Sequence, residues 1–118
     1  MARKDELGRR GEDAAARYLE RYGWQVLDRN WRCPAGELDI VAHDRRELVV
    51  VEVKTRISDD YGHPFEAIDR RKIARLWRIA WAWCAANPQI AHGHTVRIDA
   101  LGLVGAGPFR VEYLRDLR

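Results

Sequence analysis

Hydrophobic residues recur along this chain with two different spacings, and these spacings predict an alternation of helices and strands. A helical spacing runs from about Asp5 to Tyr22 and again from about Phe65 to Asn87, where Pro88 should end the second helix. Strand-like patterns occupy the segments at about 24–31, 37–42, 47–55, 94–101 and 109–114. The predicted order of elements is therefore α-β-β-β-α-β-β.

The strand at 47–55 has the character of a central strand. Its residues 48–51 are apolar on both faces, which is typical of a strand covered by helices on both sides. We therefore expect an α/β fold with three layers, in which helices flank a mixed central sheet. A chain of 118 residues fits one domain, so we expect residues 1–118 to form a single unit.

The second predicted helix has an apolar stripe and a basic side. The stripe consists of Ile73, Leu76, Trp77, Ala80, Trp81 and Cys84, and the basic side carries Arg71, Arg75 and Arg78. A solvated outer face is the ordinary explanation of the basic side, and a surface for the phosphates of a nucleic acid is the alternative. Trp83 falls outside the stripe and is a candidate for exposure.

Composition narrows the class of protein. The chain is 47% hydrophobic and 33% charged, which argues against both disorder and a membrane protein. The N-terminus has no apolar signal segment, and Cys33 and Cys84 form no CxxC pair. We therefore expect a cytoplasmic protein that does not enter a membrane. The net charge of +3 permits a polyanionic partner without demonstrating one.

Charged side chains interrupt the central strand at its C-terminal end. Side chains alternate across a strand, so Glu52 and Lys54 share a face with Val50. Charged groups are rarely buried unless they are paired. A solvated ion pair on the strand is therefore one interpretation of Glu52 and Lys54, and a chemical site is the other.

The preceding strand brings further carboxylates to the same face. A loop of four residues, 43–46, sets Glu37 opposite Glu52 and makes Asp39 a diagonal neighbour of Glu52, with backbones about 7–8 Å apart. Carboxylates at this distance need a cation, a shared proton or solvent between them. Mg²⁺ prefers carboxylate oxygens, so Asp39, Glu52 and Lys54 around Mg²⁺ or Mn²⁺ would form a phosphodiester-hydrolysing site.

Several short motifs follow one another along the chain. They are Gly11–Ala15 with Tyr18–Leu19, Asn30–Arg32, Gly36–Val41, Val51–Arg56, Tyr61–Pro64, Glu66–Ile68, Lys72 and Arg97–Asp99. In this order they resemble the YraN-like family of bacterial proteins, which is similar to archaeal Holliday-junction resolvases and to the wider PD-(D/E)xK nucleases. The resemblance implies a restriction-endonuclease-like fold with Asp39, Glu52 and Lys54 as the active-site triad.

The resemblance also implies that Glu12, on the first helix, reaches the metal. The position of Glu12 at the border of the helix's apolar arc fits this role, and an ordinary acid near the start of a helix is the alternative. The residues expected on nucleic acid are Arg56, Arg71, Lys72 and Arg75, with His63 as a further candidate for a substrate phosphate.

The leading hypothesis is thus an endonuclease that uses Mg²⁺ or Mn²⁺ and acts on DNA, including branched or otherwise structured DNA. One alternative is a nucleic-acid-binding module that retains the nuclease fold without catalysis. Another is a protein-interaction subunit whose exposed tryptophans form the contact. DNA is the expected partner, and a second copy of the chain is a further candidate.

Overall fold

The computed structural model of the chain describes residues 3–60 and 62–118. Its helices are α1 (Arg3–Arg21), α2 (Arg70–Ala86) and α3 (Pro88–Ala91), and a 3-10 turn occupies Pro64–Ala67. Its strands are β1 (Gln25–Cys33), β2 (Gly36–Asp44), β3 (Glu47–Arg56), β4 (Thr95–Val104) and β5 (Arg110–Leu114). Tyr61, which belongs to one of the motifs above, lies outside the described residues. Of the helices in these ranges, none is long and apolar enough to cross a membrane.

Within the described ranges, five strands form one mixed sheet in the order β1-β2-β3-β4-β5. The first three strands are joined as antiparallel neighbours, and β5 pairs with β4 in the antiparallel sense. β3 and β4 run parallel, and α2 supplies the crossover that a parallel pair requires. These findings confirm the predicted α/β class and the predicted order of elements.

The two long helices cover opposite faces of the sheet. α1 buries Ala15, Ala16 and Leu19 against one cluster, which includes Ile40, Val49, Val51 and Leu101. α2 buries Leu76, Ile79, Ala80 and Trp83 against the other, which includes Leu38, Val41, Val50 and Ile98. Alternate residues of β3 therefore enter both cores, which explains its unbroken hydrophobic run.

α1 approaches β3 most closely at Gly11. A Cβ atom on Gly11 would lie 2.9 Å from the Cβ of Thr55 and would collide with the rest of that side chain. Glycine is therefore required there for the close contact of helix and strand. The contact holds Glu12, the next residue of α1, beside the C-terminal end of β3.

α2 begins at Arg70 and not at Phe65. Asp69 caps it, because its side chain accepts a hydrogen bond from the backbone N–H of Lys72 at 2.8 Å. His63 caps the preceding 3-10 turn through its ring Nδ1, which accepts from the N–H of Phe65 at 3.1 Å. The prediction of one continuous helix was wrong because these two caps divide the segment, and apolar spacing does not detect caps.

The buried face of α2 also differs from the predicted stripe. Trp83 is buried, and its indole N–H donates to Asp28 Oδ2 at 3.1 Å. Trp81, placed in the stripe, is 55% exposed. The expectation for Trp83 was therefore wrong. Apolar residues occur on two overlapping sides of this helix, and the polar partner that Asp28 offers on β1 selects the side with Trp83.

The turn between β2 and β3 is shorter than predicted. Arg45 and Arg46 link the strands, so that Asp44 lies opposite Glu47 and Val41 lies opposite Val50. The register differs from the predicted one by two residues, which leaves the side chains of the paired residues 40–44 and 47–51 on their expected faces. Glu37 is consequently not opposite Glu52, and the same register continued by one residue would set Asp39 directly opposite Glu52.

Candidate active site

Asp39 lies where β2 separates from β3. The described pairing of the two strands ends at Ile40 and Val51. Leu38 packs in the core beneath α2, whereas Ile40 packs in the core beneath α1. β2 therefore departs from strict alternation at Asp39, and Asn30 of the neighbouring β1 has a left-handed backbone with φ of 53°. At this irregular point, Asp39 Oδ2 accepts a hydrogen bond from the backbone N–H of Val53 at 2.8 Å.

Glu52 is a buried carboxylate held by two lysines. The residue is 4% exposed. Its Oε2 lies 3.4 Å from Lys54 Nζ, on the same strand, and 3.1 Å from Lys72 Nζ, in the first turn of α2. A buried carboxylate needs compensating cations, and these two ammonium groups provide them.

The carboxyl groups of Asp39 and Glu52 are adjacent. Burial first, and then the charge of Glu52, raises the pKa of Asp39 to about 8, although the hydrogen bond from Val53 acts in the opposite direction. At neutral pH the Asp39 carboxyl therefore retains a proton, because burial and the neighbouring charge of Glu52 disfavour a second negative charge there. The structure thus brings Asp39, Glu52 and Lys54 together.

Glu12 borders this pair from α1. Burial raises the pKa of Glu12, while Asn30 and Arg29 lower it in part. The negative charge of Glu12 is in turn one of the influences that raise the pKa of Asp39. Glu37, by contrast, forms an ion pair with Arg32 at 2.7 Å, across the β1–β2 pair.

The donor atoms at this position suit a hard divalent cation. Across 3–60 and 62–118, no group of three or more His, Cys, Asp and Glu side chains is arranged to hold a metal. Asp39 and Glu52 offer a pair of carboxyls, and Mg²⁺ commonly binds through one or two carboxylates while it keeps several waters. The proton on Asp39 is also one that a bound cation can replace. The residues present fit an ion of this type.

The predicted basic residues fall into two groups. Lys72 contacts Glu52 and forms one cluster of side chains with Asp39, Glu52 and Lys54, which we call the acidic cleft. Three exposed arginines form a second group, which we call the arginine rim, and these are Arg56 at the end of β3 with Arg71 and Arg75 on α2. All three residues of the rim are exposed.

His63 holds a loop in place. Its Nε2 contacts the Glu112 carboxylate on β5, and its Nδ1 accepts from the N–H of Phe65. A nearby ion pair of 2.7 Å joins Asp59 to Arg110, also on β5. Both ring nitrogens of His63 are therefore occupied within the protein, so the structure gives it a positioning role instead of the suggested phosphate contact.

Sequence reasoning missed two features of the acidic cleft. It assigned Lys72 to a DNA surface and not to Glu52, although Asp69, three residues earlier, is a cap signal that would have placed Lys72 in the first turn of α2. It also gave no role to Asn30, whose residue type tolerates the left-handed backbone seen at this position of β1.

Comparison with known proteins gives a consistent result over the whole chain. The model of a family described as "Uncharacterised protein family UPF0102" matches residues 11–103, a range that includes every residue of the acidic cleft. A UPF0102 protein of Arthrobacter sp. (strain FB24) is 54% identical over 117 residues, which cover 99% of each chain. UPF0102 proteins of Beutenbergia cavernae (52% over 119 residues, 99% of each chain) and of Frankia casuarinae (49% over 117 residues, 98% of each chain) are similar to it as well.

Proposed function

The chain belongs to the UPF0102 family, the YraN-like family that its motifs resemble, and we propose that it is a metal-dependent endonuclease acting on DNA. The observation that carries this proposal is the adjacency of the Asp39 and Glu52 carboxyls, with two lysine ammonium groups on Glu52. Hydrolysis of a phosphodiester needs anionic ligands for a cation and positive groups for the charge that develops on the phosphate. The acidic cleft offers both.

Each residue of the acidic cleft has a definite role in this proposal. The Asp39 and Glu52 carboxylates would hold Mg²⁺ or Mn²⁺, with Glu12 as the supporting acid at the border. Such an ion would supply polarisation of the phosphate and a lower pKa for the attacking water. Lys54, in contact with Glu52, would position that water or offset charge on the phosphate, and Lys72 would hold the Glu52 carboxylate in place.

The surroundings of the acidic cleft favour a nucleic acid as the substrate. Arg56, Arg71 and Arg75 are exposed and can meet successive phosphates, which positions a strand without reading its sequence. We favour branched or otherwise structured DNA, in line with the resemblance to resolvases. Cutting both strands of such a substrate needs two acidic clefts, so we also propose that two copies act together. The free thiols of Cys33 and Cys84 support the proposal that the protein functions in a reducing cytoplasm.

A cleavage assay with matched variants tests the proposal. The purified chain is incubated with Mg²⁺ or Mn²⁺ and with linear, nicked, flap and four-way DNA. We expect wild-type protein to cut at least one of these substrates, and Lys54→Ala to lose at least about 10²-fold in rate, because a charge-stabilising group is removed. Arg118→Ala removes a cation from the exposed C-terminal residue and should cut normally.

Binding to DNA without cleavage of any substrate, unchanged by Lys54→Ala, would contradict the proposal. That outcome would favour the second candidate, a nucleic-acid-binding module that retains the fold without turnover. The observation in favour of this candidate is the arginine rim, whose exposed cations can bind phosphates whether or not the acidic cleft is active.

A further inference from the structure

A second cleft, lined by aromatic side chains, opens at the C-terminal end of α1. It encloses about 390 Å³ and lies between α1, β5 and the end of β2. Its lining consists of Tyr18, Leu19, Tyr22, Trp24, Asp44, Tyr113 and Arg115, and we call it the aromatic cleft. The proposed nuclease chemistry makes no use of any of these residues.

The rings of the aromatic cleft form a fixed platform. Tyr18 stacks on Tyr113 with 6.2 Å between ring centroids, and Trp24 meets Tyr113 edge-on at 6.3 Å. The Tyr113 hydroxyl donates to the buried Asp99, which holds that ring in place. Tyr22 lies 5.0 Å from Tyr18 and is 68% exposed. An exposed ring that rests on fixed neighbours is well suited to stack on a flat ligand.

The charged residues at the border of the aromatic cleft indicate which polar groups its ligand carries. Arg115 lines the cleft itself, while Arg45 and Arg46 of the β2–β3 turn are exposed and share a second depression with Asp44 and Glu47. Arginine is suited to phosphate, and a carboxylate such as Asp44 accepts hydrogen bonds from amino groups like those on the edges of nucleobases. Flat rings, arginines and one carboxylate together match a nucleotide.

We infer that the aromatic cleft binds a nucleotide whose base is unpaired, with the base stacked on Tyr22 and the phosphate facing Arg115. A paired base is already stacked within its duplex and cannot reach such a platform unless it leaves the stack. Aromatic platforms accept any base, because every base has a flat face. The nucleotide is either free in solution or part of a single-stranded segment of the substrate.

In the second case the inference rests on the proposed function and narrows its substrate. The DNA substrate would then carry a single-stranded segment, which would supply the unpaired nucleotide that the aromatic cleft binds.

The binding test uses 2-aminopurine, a base analogue whose fluorescence falls when it stacks. The probe is the 2-aminopurine deoxynucleoside monophosphate, the same nucleotide inside a ten-nucleotide single strand, and that strand annealed to its complement. The full chain is used in EDTA, so that no cleavage intervenes. We expect quenching with an unpaired probe and none with the duplex. Equal affinity for the free probe and the strand-borne probe would identify a free nucleotide as the ligand. Tighter binding of the strand-borne probe would identify a single-stranded segment of the DNA substrate as the ligand.

Tyr22 offers a clean set of variants. Tyr22→Ala removes an exposed ring and should weaken probe binding about tenfold, since one stacking contact is lost. Tyr22→Phe retains the ring and should bind like wild type. Trp81→Ala, which removes another exposed ring from the far helix α2, is the matched control and should have no effect. Equal losses in Tyr22→Ala and Trp81→Ala, or equal binding of duplex and single strand, would overturn the inference.

The same proteins separate this inference from the proposed function. If Tyr22→Ala binds the probe normally while Lys54→Ala no longer cuts DNA, the aromatic cleft is not a nucleotide site and the nuclease proposal is untouched. If wild type quenches the probe through Tyr22 but cuts no DNA, the nucleotide site is supported and the nuclease proposal fails. A Tyr22→Ala effect confined to self-association, measured by sedimentation, would overturn the inference in favour of a dimer contact.

Discussion

Two acids and two lysines share a small volume in the acidic cleft. Asp39 retains its proton at neutral pH, because burial and the charge of Glu52 raise its pKa to about 8. Glu52 is compensated by Lys54 and Lys72. The Asp39 carboxyl is thus available to bind a cation, but its burial lowers the stability of the folded protein. Such a cost is common for functional groups in buried positions.

Asp39→Asn should stabilise the metal-free protein, and the gain should increase with pH. The pKa of Asp39 is about 8 in the folded chain and lies near 3.8 when the group is free, so the folded state binds the extra proton between these values. Wild-type stability is therefore favoured below about pH 4 and declines as pH rises through 8. Asparagine cannot ionise, yet it still accepts the hydrogen bond from Val53.

Urea unfolding at pH 5 and pH 8.5 in EDTA measures this effect. We expect Asp39→Asn to exceed wild type by about 1–3 kcal/mol at the higher pH and by less at the lower one. Asp60→Asn, which changes an exposed aspartate, is the control and should follow wild type at both. A constant difference between Asp39→Asn and wild type across this range would show that Asp39 does not titrate within it.

Lys72→Met should destabilise the protein and slow DNA cleavage. The variant retains most of the aliphatic side chain but leaves the buried Glu52 with Lys54 as its cation partner in the cleft. Losing one partner of a buried carboxylate should cost about 1–3 kcal/mol of unfolding free energy in urea. Arg70→Ala, at the exposed first residue of the same helix, is the matched control. Equal effects of the two variants would exclude a special role for Lys72.

Helix α1 links the packing of the sheet to both clefts. It rests on β3 at Gly11, carries Glu12 to the acidic cleft and presents Tyr18 to the aromatic cleft. The helix contains another glycine, Gly8, where a Cβ would meet nothing within 4 Å. A side chain at position 8 would therefore meet no neighbour, whereas one at position 11 would collide with Thr55. Substitutions at the two positions should differ in their effect on stability.

Gly8→Ala should raise thermal stability, and Gly11→Ala should lower it. Alanine at position 8 gains about 0.5–1 kcal/mol from helix propensity and meets no neighbour. Alanine at position 11 gains the same propensity but collides with Thr55, which should cost about 1–3 kcal/mol as α1 moves away from β3. Calorimetry of both variants measures the difference. A similar melting temperature for the two would contradict the close approach of α1 to β3.

The sequence predicts those features of the fold that a regular hydrophobic pattern marks, and it does not predict those that depend on local irregularities or distant contacts. Alternation and helical spacing predict the strands, the long helices and the face of Glu52, because burial imposes those periods on the chain. The position of Asp39 depends on a local loss of strand alternation beside Asn30. A regular hydrophobic pattern does not predict such a loss. The buried side of α2 depends on the polar partner that Asp28 offers to Trp83, a contact between distant parts of the chain.

Over the whole molecule, charge is distributed unevenly although the net charge is only +3. Carboxyl groups meet in the acidic cleft, and the exposed arginines of the arginine rim lie at the end of β3 and on α2. Further exposed arginines lie at the β2–β3 turn beside the aromatic cleft. A polyanion would therefore be attracted locally, even though the protein as a whole is only weakly basic.

Arg75→Ala should reduce the salt dependence of DNA binding. Each phosphate neutralised by the protein contributes about 0.9 to the slope of log K against log salt concentration, so losing one contact should lower the slope by about one. The measurement is fluorescence anisotropy of a labelled four-way junction in EDTA at several salt concentrations. Arg118→Ala, which removes an arginine outside the rim, should keep the wild-type slope. The same slope in both variants would remove Arg75 from the interface.

The parallel pairing of β3 with β4 has a consequence for synthesis of the chain. β3 finds its partner about fifty residues later, once the crossover through α2 has been made. At the usual rate of translation, roughly 3–10 seconds separate the emergence of the two strands from the ribosome. During that interval the valine-rich edge of β3 has free backbone N–H and C=O groups, and such an edge readily pairs with other chains. The nascent chain therefore passes through a stage in which chaperone protection of residues 47–56 matters more than at any later time.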